Sequence, residues 1–502
     1  MKMFFDYSSR LVLISFLLGS FATQILCAQE DLRTWTNSSG EFSVQAVFLN
    51  SEDGKVQLRR ADNDQVITLE IMQLSTADRS FIRRLMRKPV EKKVPKQAVA
   101  KASDTLQSPA WPHWRGPDRD GVSRETGLLE DWSDGAPPLL WSAKGMGQGF
   151  SSVSVANDRI YTMGKKGGQT QLICASLQDG SLIWSTPAGS GDKPNCTPTV
   201  DTNANLVFGL TFDGDLLCAK ADTGEEVWRK NFSRDFGGKM MSQWGYSESP
   251  LIDGDRLICT PGGDQVVMVA LDKRTGKKIW ATPMQGSGGA GYATPVISEG
   301  GGTRQYITLV GKGLISIKAN DGKPLWHYPR IANKTANVPT PIVRDNYVFC
   351  STGYSDGGSA LLELKRSGQS VQYREVYYRS STELQNHHGG MVMLDDHIYM
   401  GHGHNKGFPV CFNWKTGRPA WGPLRGPGKS SAAIVAADGG IYFRYQDGTM
   451  ALIEANPKEY KSKGKFRIAT VNGNSWSHPV IVDKKLFLRD QDDLHCYDLE
   501  SR

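Results

Sequence analysis

The amino-acid sequence predicts an all-β protein: an eight-bladed β-propeller closed by a strand from its N-terminal side and preceded by a small β domain. Three observations carry this. One phrase recurs as "DGSLIW", "TGEEVW", "TGKKIW", "DGKPLW" and "TGRPAW", with a glycine four residues before a tryptophan: Gly180/Trp184, Gly224/Trp228, Gly276/Trp280, Gly322/Trp326 and Gly417/Trp421. From Trp184 to Trp326 the intervals run 44 to 52 residues, the period of a propeller blade. Strand starts near Ser151, Cys196, Ser247, Tyr292, Asn337, His387, Ser431 and Trp476 give eight units. The eighth ends at "HCYDLESR", before any fourth strand, whereas "PPLLWSAKG" (residues 137–145) reads as a fourth strand with Trp141 in the tryptophan place. A last blade shared by both ends of the chain closes the ring and removes its free edges.

In chain order, residues 1–28 read as a signal peptide. Lys2 and Arg10 supply positive charge, an apolar run extends from Leu11 to Phe21, and cleavage is expected near Ala28. The run is short for a spanning helix. Lipidation at Cys27 is disfavoured because Leu26 before it is bulky. Residues 31–86 alternate apolar and polar positions over Phe42 to Leu49, Lys55 to Arg59 and Gln65 to Glu70, between the turns "NSEDG" and "ADND". A helix is expected from Ser75, with Asp78 completing a capping box. Residues 87–109 form a basic Pro/Ala linker, and 110–502 the propeller. Within a period, "SESPLID", "RLICTP", "VVMVALD" and "KKIWATP" read as four strands with hairpin turns between them. The fifth and seventh units lack the phrase: Gln372 stands at the expected tryptophan place after Gly368, and "EANPKEYKSKGKF" replaces the other. "WRGPDRDG" (residues 114–121) is expected to wrap the propeller rim.

Composition narrows the function. The net charge of +7 is modest for 502 residues, and its excess concentrates in residues 83–101. No basic patch is interleaved with aromatics, which argues against nucleic acid. Beyond the leader no segment is apolar enough to span a membrane, so a secreted or periplasmic location is expected. Of the seven remaining cysteines, Cys174, Cys218, Cys411 and Cys496 share apolar contexts and read as buried core thiols at equivalent positions. "GSGGAG" (residues 286–291) precedes a strand rather than a helix, which removes the dinucleotide reading.

In a propeller the first strand of each blade lines the central channel, so strand starts are where a site would converge. This places Trp244, Tyr246, Glu248, Asn337, His387, His388, Trp476 and His478 near the axial mouth as ligand or cofactor contacts. Residues 386–407, "NHHGGMVMLDDHIYMGHGHNKG", hold five of the nine histidines. If Asp395-Asp396 is a two-residue turn, His387 lies opposite His404 and His402 opposite Gly389. His387, His402 and His404 then share one face and could bind Zn²⁺ or Cu²⁺. A one-residue slip would break that grouping.

The repeat, "WPHWRGPDRDGVSRETGLLEDW" and "WGYSESPLIDGDRLICTPGG" resemble the pyrroloquinoline quinone (PQQ)-like eight-bladed propeller family, over roughly residues 110–502 and in planctomycete-type bacterial envelope members above all. The signature "RTWT…G.F.V.A.F……GKV.L" and the "LS..D..F" after it resemble the Sla homology type 1 domain, an SH3-like adaptor module without chemistry. The first resemblance implies either of two lives. Quinoprotein dehydrogenases of the family hold PQQ and Ca²⁺ in the axial funnel, whereas its outer-membrane assembly lipoproteins bind no quinone. For a quinoprotein, Trp244 or Trp476 would stack on the ring, Asn337 would be a metal ligand, and Glu248 a ligand or catalytic base. The adjacent-cysteine disulfide and Asp-rich segments common in such enzymes are absent. The sequence therefore reads as an extracytoplasmic binding or scaffold protein rather than an enzyme. It would take a protein or carbohydrate-like ligand at the propeller mouth and a protein partner on the N-terminal module. A PQQ-dependent alcohol or sugar dehydrogenase and a histidine-bound metal site are the alternatives.

Overall fold

The computed structural model describes residues 32–39, 41–52, 54–75, 78–79, 82, 110–354 and 356–501. The expected leader and the expected linker lie outside these residues. Among the described residues, no helix is long and apolar enough to cross a membrane. The chain divides into two compact units, Met1–Ser103 and Asp104–Arg502.

The first unit is a four-stranded antiparallel sheet of Leu32–Thr36, Ser43–Glu52, Lys55–Arg60 and Val66–Glu70, paired in sequence order. Its core gathers Trp35, Ala46, Val56, Leu58, Leu74 and Ile82, and the Trp35 indole donates to Ala46 O at 3.0 Å. The capping pair forms as its spacing implies. The Asp78 N–H donates to Ser75 Oγ at 3.2 Å, and the Ser75 hydroxyl donates back to Asp78 at 2.7 Å. Arg33 also pairs with Asp78 at 2.8 Å, tying that turn to the first strand. Phe42 and Met72 remain 73% and 71% exposed.

Among the described residues the second unit contains eight four-stranded antiparallel sheets, here blades 1 to 8. Their first strands are Ser154–Ala156, Thr199–Asp201, Leu251–Asp253, Val296–Ser298, Ile342–Arg344, Asn386–Leu394, Ala432–Ala437 and Val480–Val482. Blade 8 takes its fourth strand from Leu139–Lys144, with Trp141 paired to Cys496, so the two ends of the unit close one sheet.

The recurring phrase explains how blades adhere. The tryptophan stands on the fourth strand opposite a small residue of the third: Cys174, Cys218, Ala270 and Cys411 face Trp184, Trp228, Trp280 and Trp421. Its indole N–H donates to a carbonyl of the next blade, from Trp184 to Ala221, Trp228 to Lys273, Trp280 to Ala319 and Trp421 to Asn456, at 2.7 to 3.2 Å. On Trp184, Trp228 and Trp280 the phrase glycine of that next blade, Gly224, Gly276 and Gly322, lies on the same ring. At Gly224, with φ +76°, a Cβ would fall 2.6 Å from Trp184, so both the conformation and the approach demand glycine. The last link is Gly180 of blade 1 on Trp141 of blade 8, which closes the circuit. Blade 5 corrects the expectation at Gln372. Its ring is Tyr377, carrying Gly417 and donating to Trp414 O at 2.7 Å, because the second hairpin of this blade is longer and shifts the aromatic along the strand. Cys174, Cys196, Cys218, Cys259, Cys350, Cys411 and Cys496 are all free and buried. Burial pushes the Cys174, Cys196, Cys411 and Cys496 thiols up to about 12, which keeps them unreactive.

Candidate functional site

Short first strands leave their leading residues to close the channel. Blades 1 to 5 do this with a belt of hydroxyls. The N–H groups of Ser152, Thr197, Ser249 and Thr294 donate to the side-chain oxygens of Thr197, Ser249, Thr294 and Thr340 on the following blade, at 3.0 to 3.2 Å. Each bond satisfies an N–H that an inner strand cannot pair within its own sheet. The hydroxyl of the belt stands two residues before its strand, and the residue four before it faces the axis. That alternation brings Phe150, Asn195, Ser247, Tyr292, Val338 and Trp476 to the wall of a cavity of about 620 Å³.

A strap closes one end of the channel. Trp111 exchanges backbone bonds with Val155 of blade 1 at 2.7 and 2.9 Å, Pro112 accepts from Val200 of blade 2, and Arg119 donates to Ile252 O of blade 3. Arg115 then donates to Met391 O of blade 6 at 2.8 Å, and Gly121 and Ser123 bond Ala436 of blade 7. Blades 1 to 3 lie across the ring from blades 6 and 7, so residues 111–123 cross the axis instead of wrapping the rim as expected. The crossing places Trp114 in the cavity floor, edge-on to His478 at 5.2 Å. The buried Arg115 guanidinium satisfies backbone carbonyls of both strap and blade, which holds the plug in register.

The histidine hairpin turns at Asp395-Asp396 as its sequence implies, with Leu394 opposite His397 and Met391 opposite Met400. The register then breaks: Asn386 pairs with His402, and residues 387–390 bulge out. His387 is therefore not opposite His404 across a regular ladder, and His402 is not grouped with them. The cause is the "HHGG" sequence. Gly389 adopts φ +77°, and Gly390 packs on the backbone of Ala432 to Ile434 of blade 7, where a side chain would not fit. The bulge aims both His387 and His388 into the cavity, and their rings stack at 3.9 Å. His404 meets His387 edge-on at 4.4 Å, and Tyr354 lies against both. His402 stays outside the wall, accepting the Gln385 N–H at 3.3 Å. Among the described residues no three His, Cys, Asp or Glu side chains stand where they could share a metal ion, so the expected triad is not assembled. Protein purified without a histidine tag is expected to carry only substoichiometric zinc and copper. A full equivalent of metal that is lost in His402→Ala/His404→Ala would overturn this geometry.

The wall is neutral where His387, His388 and His478 form it. Burial lowers His387 to about 2 and His388 and His478 to about 4, so all three are uncharged at neutral pH. The Asn405 N–H donates to His387 Nδ1 at 3.3 Å, and Ser431 Oγ lies 2.5 Å from the same atom. A backbone N–H can only donate, so Nδ1 is the acceptor and the proton sits on Nε2. Among the described wall residues Asp192 and Lys193 are the carboxylate and the ammonium, adjacent in the chain, with Lys193 over the Phe150 ring at 5.9 Å.

Of the sequence-predicted residues, Trp244, His387, His388, His404, Trp476 and His478 reach this wall. Tyr246, Glu248 and Asn337 do not. They occupy the alternate positions, whose side chains turn into the blades. The Tyr246 hydroxyl donates to Pro261 O at 3.0 Å, and Asn337 donates to Val310 O at 2.8 Å while accepting the Asn333 N–H. Glu248 is buried between Cys196 and Cys259. One of its oxygens accepts the Thr260 N–H at 2.7 Å, and the other has no partner among the described residues. Trp114, Phe150, Phe212, Tyr292 and Tyr354 are wall residues that the sequence reading missed. Phe150 and Tyr292 stand at the same offset from their strands as Trp476, a signal that strand-by-strand alignment carries.

PQQ is a planar tricarboxylate, and the family's enzymes hold it with Ca²⁺, a cation that takes 6 to 8 oxygen ligands. The wall described here offers one ammonium and one carboxylate, and Glu248 and Asn337 are engaged behind it. The residues present do not fit that pair.

Comparison with known proteins agrees with the architecture. Residues 193–423 match a family model described as outer membrane protein assembly factor BamB, and residues 26–90 match SLA1 homology domain 1. The curated BamB of Burkholderia pseudomallei is 24% identical over 202 residues, covering 38% of this chain and 49% of that protein. The chain spans about half the length of the curated relatives it matches. Among solved structures, BamB from Moraxella catarrhalis superposes with a TM-score of 0.53 at 16% identity, over 73% of this chain and 99% of the other. A europium-containing methanol dehydrogenase superposes with a TM-score of 0.55 at 13% identity, over 76% and 89%. At these identities the likenesses establish the fold and leave the function to the site.

Proposed function

We propose that this chain, a PQQ-like β-propeller preceded by an SLA1 homology domain 1, is an extracytoplasmic binding and scaffold protein whose ligand enters the axial cavity. The observation that supports this best is the wall itself: aromatic rings, uncharged imidazoles and hydroxyls line a floor-closed cavity of about 620 Å³. That volume lies within the roughly 300–1,000 Å³ usual for ligand sites. Glu248, the base expected from the sequence for a dehydrogenase, is turned away from it, and the wall's carboxylate, Asp192, stands next to Lys193. Wall chemistry of this kind suits a neutral ligand, a carbohydrate or an uncharged protein segment. The leader expected at residues 1–28 and the likeness to outer membrane protein assembly factors support the location. The N-terminal module is the protein-docking part in this reading, and exposed Phe42 and Met72 are its candidate contacts.

Incubation of the full chain with PQQ and Ca²⁺, followed by gel filtration, tests binding against catalysis. No quinone absorbance is expected to travel with the protein, and no alcohol-dependent dye reduction to appear. Stoichiometric quinone retention with turnover would replace this reading by the dehydrogenase.

A further inference from the structure

The two arcs of the cavity wall differ in make-up. On blades 2 to 4, Thr197, Ser249 and Thr294 each spend their oxygen on accepting a neighbouring blade's N–H. The Ser249 hydroxyl lies against the Cys196 thiol, whereas among the described residues nothing takes the hydroxyl protons of Thr197 and Thr294, so two O–H donors stand along one arc of the wall with their oxygens fixed. On the facing arc the rings run without a break. Tyr354, His404, His387, His388, Trp476 and Phe150 follow one another at centroid distances of 3.9 to 5.1 Å. The buried Trp476 Nε1 proton has no partner, and His387 turns its Nε2–H away from the bonds at Nδ1. Trp244, 49% exposed, adds a further ring at the mouth.

We infer that this cavity takes the terminal rings of a neutral oligosaccharide; this rests on the binding reading above and names its ligand. A pyranose has apolar C–H faces, which stack on aromatic rings, and a girdle of hydroxyl and ring oxygens, which accept from such donors. The unbroken rings offer the stacking surface, and donors stand on both arcs: Trp476 and His387 within the ring arc, and Thr197 and Thr294 across from it, where Phe212 and Tyr292 also line the wall. Nothing on the wall described here pairs with a uronate or sulfate beyond Lys193, whose neighbour is Asp192. The strap decides which part of a chain enters. Because residues 111–123 cross the axis and Trp114 forms the floor, a polysaccharide cannot thread through, and a chain end must lead.

Calorimetric titration of the full chain with linear tetrasaccharides of the cellulose, mannan, xylan, amylose and chitin types tests this. A cyclic α-glucan and a tetragalacturonate serve as probes of end recognition and neutrality. At least one linear neutral tetrasaccharide is expected to bind at about millimolar or better affinity, and the cyclic and anionic probes to fail. Trp476→Ala is expected to weaken binding about tenfold or more, the size of one lost stack or hydrogen bond. Trp244→Ala, at an exposed ring, should weaken it without altering the melting temperature. No binding by any linear neutral tetrasaccharide overturns the inference, as does equal binding of the cyclic probe or indifference to both substitutions. Saturable binding of p-cresol, or of a neutral Tyr/Pro-rich peptide, with no saccharide binding would overturn the saccharide and keep the cavity as a ligand site. Failure of every probe would overturn both readings.

Discussion

Replacing Trp280 by alanine is expected to destabilise the propeller by about 4 kcal/mol. The indole is buried between blades 3 and 4, near-parallel to Tyr306 with ring centres 6.1 Å apart, and its N–H donates to Ala319 O at 3.1 Å. Truncation removes most of the ring's buried surface, leaves a cavity between two sheets that cannot easily move together, and leaves Ala319 O with Arg256 as its remaining donor. The companion change is Gly322→Ala. With φ +73° and a Cβ that would fall 2.6 Å from Trp280, it is strained twice over in the native chain. In a Trp280→Ala background the steric part of that strain disappears, so the two losses should fall short of additive. Denaturant midpoints of the two single variants and the double variant measure this. Trp244→Ala is the control, since a half-exposed ring at the mouth should change stability by no more than about 0.5 kcal/mol. A Trp280→Ala loss below about 1 kcal/mol would mean that the Gly–Trp contact does not hold blades together.

The second large effect is a pH dependence at Glu248. Burial raises its carboxyl from 4.5 to about 7, and hydrogen bonding from the Thr260 backbone and side chain opposes this only in part. In the unfolded chain the group ionises near its ordinary value, while the folded protein holds the proton until about pH 7. Folded protein thus binds more protons between those values, and stability falls as pH rises through that window. A displacement of this size corresponds to about 3 kcal/mol at about 1.4 kcal/mol per pH unit. Glu248→Gln keeps an oxygen for Thr260 and removes the ionisation. The variant should match the wild type near pH 4.5 and be more stable than it at pH 8, by up to about 3 kcal/mol. Parallel stability curves for the two proteins across that range would sink the assignment.

The blade repeat was legible because inter-blade packing is written at fixed offsets. Each phrase glycine packs on the ring of the blade before it, as Gly224 does on Trp184, so the phrase recurs at the blade period, and even the swapped strand with Trp141 shows the mark. The aromatic of blade 5 was not legible at Gln372. A longer hairpin displaces Tyr377, and tyrosine also meets the requirement for a flat ring with a donor. At the mouth, the neighbourhood of the site could be read and its phase could not. Side chains alternate every residue where the strands begin, so an error of one position exchanges wall for core, and Glu248 and Asn337 fell on the wrong side of it. His387 and His388 both reach the cavity only because the Gly389-Gly390 bulge suspends that alternation.

By itself, then, the sequence determined the β-propeller, its closure by an N-terminal strand and the module before it, because each depends on local periodicity and on contacts repeated at constant spacing. Tertiary structure alone decided that the channel is blind and that an unbroken run of rings lines one arc of its wall. Those properties arise where residues 111–123, 195–197 and 387–404 converge. Each owes its orientation to hydrogen bonds with blades far away in the chain, and no local pattern encodes those partners.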